Sequence, residues 1–194
     1  MAKEELGFVR SSHKYEYGDN MNFRRVVTGH TSDGEATVVS DGVVERAGFS
    51  SGVEIHKFWG SDTILSFPDN GKQPIAEAFF PPVNGFRFLT IVLPPNSEGE
   101  LDEEDNKLAE EQFEEKFPDA LALMESANPG MHASDTVDLA YVISGDIWLE
   151  LDNSEEINLE AGDIIVQNGT RHRWHNRSNE PCCLMACMIG AERV

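Results

Sequence analysis

The sequence predicts one all-β domain with an N-terminal β extension and a short helical insertion. Three observations carry this. Short runs rich in Val, Ile, Phe, Thr and Trp recur in both halves of the chain, divided by Gly, Asp, Asn and Pro. One segment between them, residues 102–126, is instead built from Glu, Leu, Ala and Lys. The length, 194 residues, suits a single domain that buries its own core.

Residues 1–21 are polar apart from Tyr15 and Tyr17 and read as an N-terminal arm. Residues 22–95 form the β extension, with strands expected at 23–28, 36–40, 53–59 and 86–93. The last of these is apolar on both faces. It predicts a strand with the barrel core on one side and another sheet or subunit on the other, hence a homodimer. Pro94 and Pro95 end it, because proline supplies no donor to a β ladder. In the insertion, Leu108, Phe113, Phe117, Leu121 and Met124 recur at helical steps, and Pro118 either kinks the helix or opens a second one. The glutamates between them read as a solvated face. Residues 129–190 return to strands at 138–143, 147–151, 157–159, 164–167, 172–177 and 183–189, with turns at Gly145, Asp152-Asn153 and Gly162-Asp163.

Thirty-five acidic against fifteen basic residues give a net charge of −20, which argues against nucleic acid or an anionic membrane surface as partner. It does not argue against a small anionic substrate, since a pocket holds its own charges. No apolar run reaches the ~18 to 20 residues a membrane helix needs, and Met1-Ala2-Lys3-Glu4-Glu5 lacks the apolar stretch of a signal peptide. The expected location is cytoplasmic. Cys182, Cys183 and Cys187 fall in one apolar strand, where neighbouring side chains point to opposite faces and bridge poorly. They read as buried free thiols, with a zinc site the lesser alternative.

Two stretches carry chemistry. The first is Pro129-Gly130-Met131-His132-Ala133-Ser134-Asp135-Thr136-Val137-Asp138, followed by Tyr141-Val142-Ile143-Ser144-Gly145. The second is Gly162-Asp163-Ile164-Ile165-Val166-Gln167-Asn168-Gly169-Thr170-Arg171-His172, with Asn176 beyond it. Together they resemble the two-part signature of the cupin superfamily. The usual first motif is His-x-His, then a Glu, then a Gly closing a hairpin; the usual second is Gly-Asp, an apolar strand, Pro-x-Gly-x-x-His and an Asn. Counting back from Gly145 puts Asp138 in the Glu position and His132 in the first His position, so Ser134 stands where the second His is usual. The lead-in Arg24-Arg25-Val26-Val27-Thr28-Gly29-His30 and Ser40-Asp41-Gly42 also resembles a little-characterised bacterial and fungal group of single-barrel cupins.

The resemblance implies a jelly-roll barrel in which alternate residues of each strand point inward. It implies His132, Asp138 and His172 as catalytic residues and as ligands of a divalent transition metal (Fe, Mn, Zn, Ni or Co), which would polarise a substrate oxygen or bind dioxygen. Ser134 is a poor ligand and Asp138 is one methylene shorter than Glu, so weak metal binding or a vacant site is the alternative. Ser134, Trp148, Arg171, Trp174 and Asn176 are the expected substrate-binding residues. The expected activity is a metal-dependent conversion of a small carboxylated or aromatic compound by a lyase, decarboxylase, isomerase or dioxygenase. Two further readings stand beside it. One is a binding or regulatory protein without catalysis. The other is a metal-free base in which Asp138 raises the pKa of His172.

Overall fold

The computed structural model describes residues 22–96 and 103–194. The arm expected at residues 1–21 lies outside them. The elements in chain order are strands β1 (Arg24–His30), β2 (Ala36–Val43), β3 (Ala47–Gly48), β4 (Glu54–Ser61) and β5 (Phe86–Leu93), then helix α1 (Glu103–Lys116). Strands β6 (Thr136–Ser144), β7 (Asp146–Glu150), β8 (Glu156–Glu160), β9 (Ile164–Asn168), β10 (Arg173–His175) and β11 (Cys182–Gly190) follow. A six-stranded sheet runs β3-β4-β5-β11-β6-β9, and a three-stranded sheet runs β10-β7-β8. The pair β1-β2 forms a separate hairpin. Core side chains come from both larger sheets: Val142, Leu184 and Cys182 of the first meet Ile147 and Leu159 of the second. The result is a two-sheet jelly-roll barrel.

Alternation along the strands decides which side chains enter the barrel. In β7, Ile147 and Leu149 are buried while Asp146 is exposed, as a half-buried strand requires. Gly145 makes the β6–β7 turn at φ 75°, and a Cβ there would meet Pro181 O at 2.8 Å, so the position tolerates no side chain. On the six-stranded sheet one inward row reads Arg87, Met188, Asp138 and Gln167 across β5, β11, β6 and β9.

Helix α1 ends before Pro118 and is followed by a single 3₁₀ turn, Leu121–Leu123. Its packing stripe differs from the expected one. Phe113, Phe117 and Ala109 turn inward, while Leu108 is exposed. Phe117 is buried with Phe79, Phe49, Leu89 and Met188, so the insertion completes one end of the barrel core.

The β5 strand is packed on both faces, and the outer contacts come from within the chain. Phe88 packs on Phe58, and Phe23, just before β1, packs on Phe58 and His56. His56 is buried against Thr90. Phe88 itself stays partly open, and the other apolar residues exposed on the outer face lie farther across: Leu139, Tyr141, Ile164, Val166 and Ile189. All three cysteines are free; Cys182 and Cys183 are buried, and burial pushes both thiols up to about 12. Among the described residues no helix is long and apolar enough to cross a membrane.

Arg87 is 1 % exposed and fully engaged. Its guanidinium donates to the carbonyls of Ala78, Ser61 and Phe86 and to Asp62 at 2.5 Å. It thereby ties the 76–82 segment, which carries Phe79 and Phe80, to β4 and β5. Removing one partner of such a pair leaves buried groups unpaired. Arg87→Ala is expected to lower the unfolding free energy by about 3 kcal/mol, measured by urea titration, with a smaller loss in Asp62→Ala because Asp62 is partly solvated; a change within ~0.5 kcal/mol for both would contradict the role.

Candidate metal and acid–base centre in the barrel

The two motif histidines meet through their backbones. His132 N–H donates to His172 O and His172 N–H donates to His132 O, both at 2.9 Å. This antiparallel bridge sets the imidazole centroids 4.2 Å apart. Phe80 stands 5.9 Å from the His132 ring and Trp174 stands edge-on 5.9 Å from the His172 ring. The pair is therefore walled by aromatic surface on both sides.

Each ring is held by a carbonyl in its own turn. His132 Nδ1 lies 3.1 Å from Gly130 O, and His172 Nδ1 lies 2.9 Å from Thr170 O. A carbonyl only accepts, so each Nδ1 carries the proton and each Nε2 keeps its lone pair. Burial lowers the pKa of His132, against the Gly130 carbonyl, which raises it. Burial and then the neighbouring His132 push His172 down to about 4. This corrects the expectation that a carboxylate raises His172; desolvation wins.

Asp138 points inward from β6, between Met188 and Gln167 in the ladder. Its Oδ1 is buried with no hydrogen-bond partner among the described residues. Burial raises its pKa, with the Thr136 hydroxyl offsetting part of the shift. Thr136 in turn lies 2.7 Å from Ser134 Oγ, and both hydroxyl residues are buried. Ser134 thus reaches the carboxyl through Thr136, a residue that the motif spacing did not single out.

Two lone-pair nitrogens and an unpaired buried carboxylate oxygen are the donor types a divalent transition metal takes. Carbonyls holding the far nitrogen of each ring are the usual support for such ligands. The donor chemistry fits. Among the described residues, however, His132, Asp138 and His172 do not bring three ligand atoms within 4.8 Å of one another; the group that does is Glu150, Glu156 and His175. Those carboxylates already have side-chain partners. Glu150 takes Arg173 at 2.6 Å and His175 at 2.6 Å, and Glu156 pairs with Arg177.

The remaining expected residues fare unevenly. Trp174 is half-buried beside His172, facing the core as expected. Trp148 is a correction: Ile147 and Leu149 take the inward positions of β7, so Trp148 faces out, under the Arg177 guanidinium at 5.1 Å. Arg171 is also corrected as a free anion-binding group. It is bound to Glu125 at 2.5 and 2.7 Å and to Asp152 at 3.0 Å, and Glu125 is held down at about 2 by it. Asn176 is a structural residue. Its Nδ2 donates to Leu93 O and Glu180 O, and its Oδ1 accepts from Ser178, closing the turn before β11.

Two interior cations escaped the sequence reading. Besides Arg87, Lys57 lies inward on β4, opposite Leu89, with its ammonium 5.4 Å from the Phe117 ring centre. Burial and then Arg87 lower its pKa. The signal was present, because Lys57 shares a face with Ile55, and Arg87 with Leu89.

The histidine shifts fix the sign of a pH effect. The folded-state pKa of His172 lies below the ordinary 6.5, so folding favours the neutral ring. Stability is full above about pH 6.5 and falls toward about pH 4, where the unfolded chain takes up the proton first. Asp138, raised by burial, acts in the opposite sense, its contribution growing as pH falls through its folded-state pKa. Metal-free protein is expected to lose about 2 kcal/mol through His172 between about pH 7 and 5. A His172→Gln variant should show a correspondingly shallower dependence in urea titrations, and equal slopes would contradict a buried neutral ring.

The family model described as a cupin domain (Cupin_2) matches residues 122–188, the stretch that holds both histidines and Asp138. Phomopsin biosynthesis cluster protein C′ of Diaporthe leptostromiformis is 45 % identical over 49 residues, 25 % of this chain and 26 % of that protein. The cupin-domain-containing oxidoreductase virC of Hypocrea virens is 39 % identical over 46 residues, 24 % of each chain. The chain spans about a quarter of the length of the curated relatives it matches. Among solved structures, the Schizosaccharomyces pombe Cnp3 cupin domain aligns over 86 % of this chain and 87 % of its own, at 9 % identity and a TM-score of 0.44. Residues 122–188 thus match a cupin domain, and the two-sheet barrel that they help to build has the fold which that match implies.

Proposed function

We propose that this cupin is a cytoplasmic, metal-dependent enzyme that converts a small carboxylated or aromatic compound inside the barrel. The observation that carries the reading is the histidine pair: two neutral rings 4.2 Å apart, each oriented by a carbonyl at Nδ1, in the same interior as the unpaired Oδ1 of Asp138. Nε2 of His132, Nε2 of His172 and the Asp138 carboxylate are the groups that would hold Fe, Mn, Zn, Ni or Co. Such an ion, when bound, supplies Lewis-acid polarisation of a substrate oxygen. The chain's own residues do the rest. Gly130 and Thr170 fix the rings, Ser134 and Thr136 support the carboxyl, and Phe80 and Trp174 line the site with apolar surface. The names of the relatives support a step in a biosynthetic sequence, with oxidation among the reaction classes.

A second reading has its own support. The separation of Asp138 from the histidines, and the opposite shifts of its pKa and theirs, suit a metal-free acid–base site with a proton-holding carboxyl and neutral imidazole bases. Chelation separates the two, since only this reading keeps activity after it.

Elemental analysis of protein purified without added metal tests the first reading. About one transition-metal ion per chain is expected, with at least tenfold weaker retention in His172→Ala and in Asp138→Asn. Wild-type protein that neither carries metal nor takes it up on titration would sink it. We further propose a homodimer, supported by the outward pairs Leu139–Val166 and Tyr141–Ile164 on the six-stranded sheet. Val166→Glu is expected to halve the mass measured by light scattering; an unchanged mass removes that face from the assembly.

A further inference from the structure

We propose a second small-molecule site, outside the barrel and separate from the histidine centre, in which Arg25 binds the carboxylate of a flat aromatic acid. The site is a groove of about 430 Å³ between β1, the outer face of β4 and the 65–71 loop. That volume falls within the range of pockets that hold small ligands. Its walls include Phe58, Trp59, Phe67 and Phe88.

The groove exists because the β1–β2 hairpin joins neither barrel sheet. The hairpin is anchored at two points. Arg25 Nη1 donates to Phe58 O at 2.8 Å, and His30 N–H donates to Asp69 O at 2.7 Å. Between these anchors β1 stands away from β4, and Phe67 sits at the lip with 75 % of its surface exposed. An exposed phenylalanine beside other rings gains by covering.

Arg25 gives the groove its chemistry. In a chain with 35 acidic residues, the other described arginines are each paired with a carboxylate: Arg24 with Asp41, Arg46 with Glu54, Arg87 with Asp62, Arg171 with Glu125, Arg173 with Glu150, Arg177 with Glu156 and Arg193 with Asp135. Arg25 has no carboxylate partner among the described residues. Its guanidinium lies over the Trp59 ring, 5.5 Å from the centroid, and among the described residues only Nη1 is engaged. The open Nε and Nη2 edge is the one that takes a carboxylate with two parallel hydrogen bonds. The acid on the lining, Asp69, is turned into its own loop, where Oδ1 accepts from Gly71 N–H at 2.7 Å. A fixed guanidinium backed by an indole, with phenyl rings around it, matches an anion on one edge of an aromatic plane.

The test titrates the full-length protein with 2-naphthoate, using calorimetry for affinity and ligand-observed NMR for contact. Saturable binding is expected, at least tenfold weaker in Arg25→Gln and in Phe67→Ala, whose substitutions lie on different elements. The uncharged 2-methylnaphthalene should bind at least tenfold more weakly, and His172→Ala should leave naphthoate binding unchanged. Three outcomes overturn the proposal. One is binding indifferent to Arg25→Gln; another is binding lost in His172→Ala, which places the probe in the barrel. The third is no binding at millimolar naphthoate, which means that another part of the chain or a second copy fills the groove.

Discussion

The reciprocal backbone bond between His132 and His172 is the constraint from which the barrel centre follows. Neither residue lies within a named strand, yet each gives its N–H and carbonyl to the other. That exchange joins the approach to β6 with the approach to β10, and so closes the six-stranded sheet against the three-stranded one. With the backbones fixed at this separation the rings have little choice of distance. The carbonyls of Gly130 and Thr170, each two residues before the histidine it holds, then choose the tautomer. Position and protonation state are both set by main-chain atoms, which side-chain substitutions elsewhere do not easily move.

Around this pair the barrel arranges polar groups by a rule that its composition hides. The surface is strongly acidic, but the inward positions of β4 and β5 hold Lys57 and Arg87, and those of β6 and β9 hold Asp138 and Gln167. Arg87 is satisfied by carbonyls and Asp62, so it serves the fold by anchoring the segment that brings Phe80 to His132. Asp138 is left with an unpaired oxygen, which a folded chain tolerates only at a cost. The contrast between the satisfied cation and the unsatisfied acid is what separates scaffold from candidate chemistry here.

Much of this was legible in the residues. The strand at 86–93 follows from its continuous apolar run closed by Pro94 and Pro95, the hairpin at Gly145 follows from turn chemistry, and the spacing of His132, Asp138, His172 and Gly145 carried the cupin resemblance before any coordinates. What failed did so for physical reasons. Trp148 was expected at the substrate because an indole can stack on an aromatic compound, whereas the parity of β7 gives the interior to Ile147 and Leu149. Arg171 looked like an anion clamp because its partners, Glu125 and Asp152, are remote in sequence. Leu108 obeyed the helical period but not the tertiary contact, since the helix is rotated to bury Ala109, Phe113 and Phe117. The pairing of Arg87 with the 76–82 segment could not be read locally, because a buried guanidinium advertises its position but not its acceptors.

Arg171, Arg173 and Arg177 are each paired with a nearby glutamate, in a chain whose net charge is −20. A divalent cation diffusing toward such a body is drawn in from beyond contact range, while an anionic metabolite must climb the same potential. Added electrolyte flattens that potential, slowing capture of the cation and speeding arrival of the anion. Were the proposed ion and an anionic substrate to use this barrel, the ionic composition of the surroundings would act on the two in opposite directions, without either touching the outer charges.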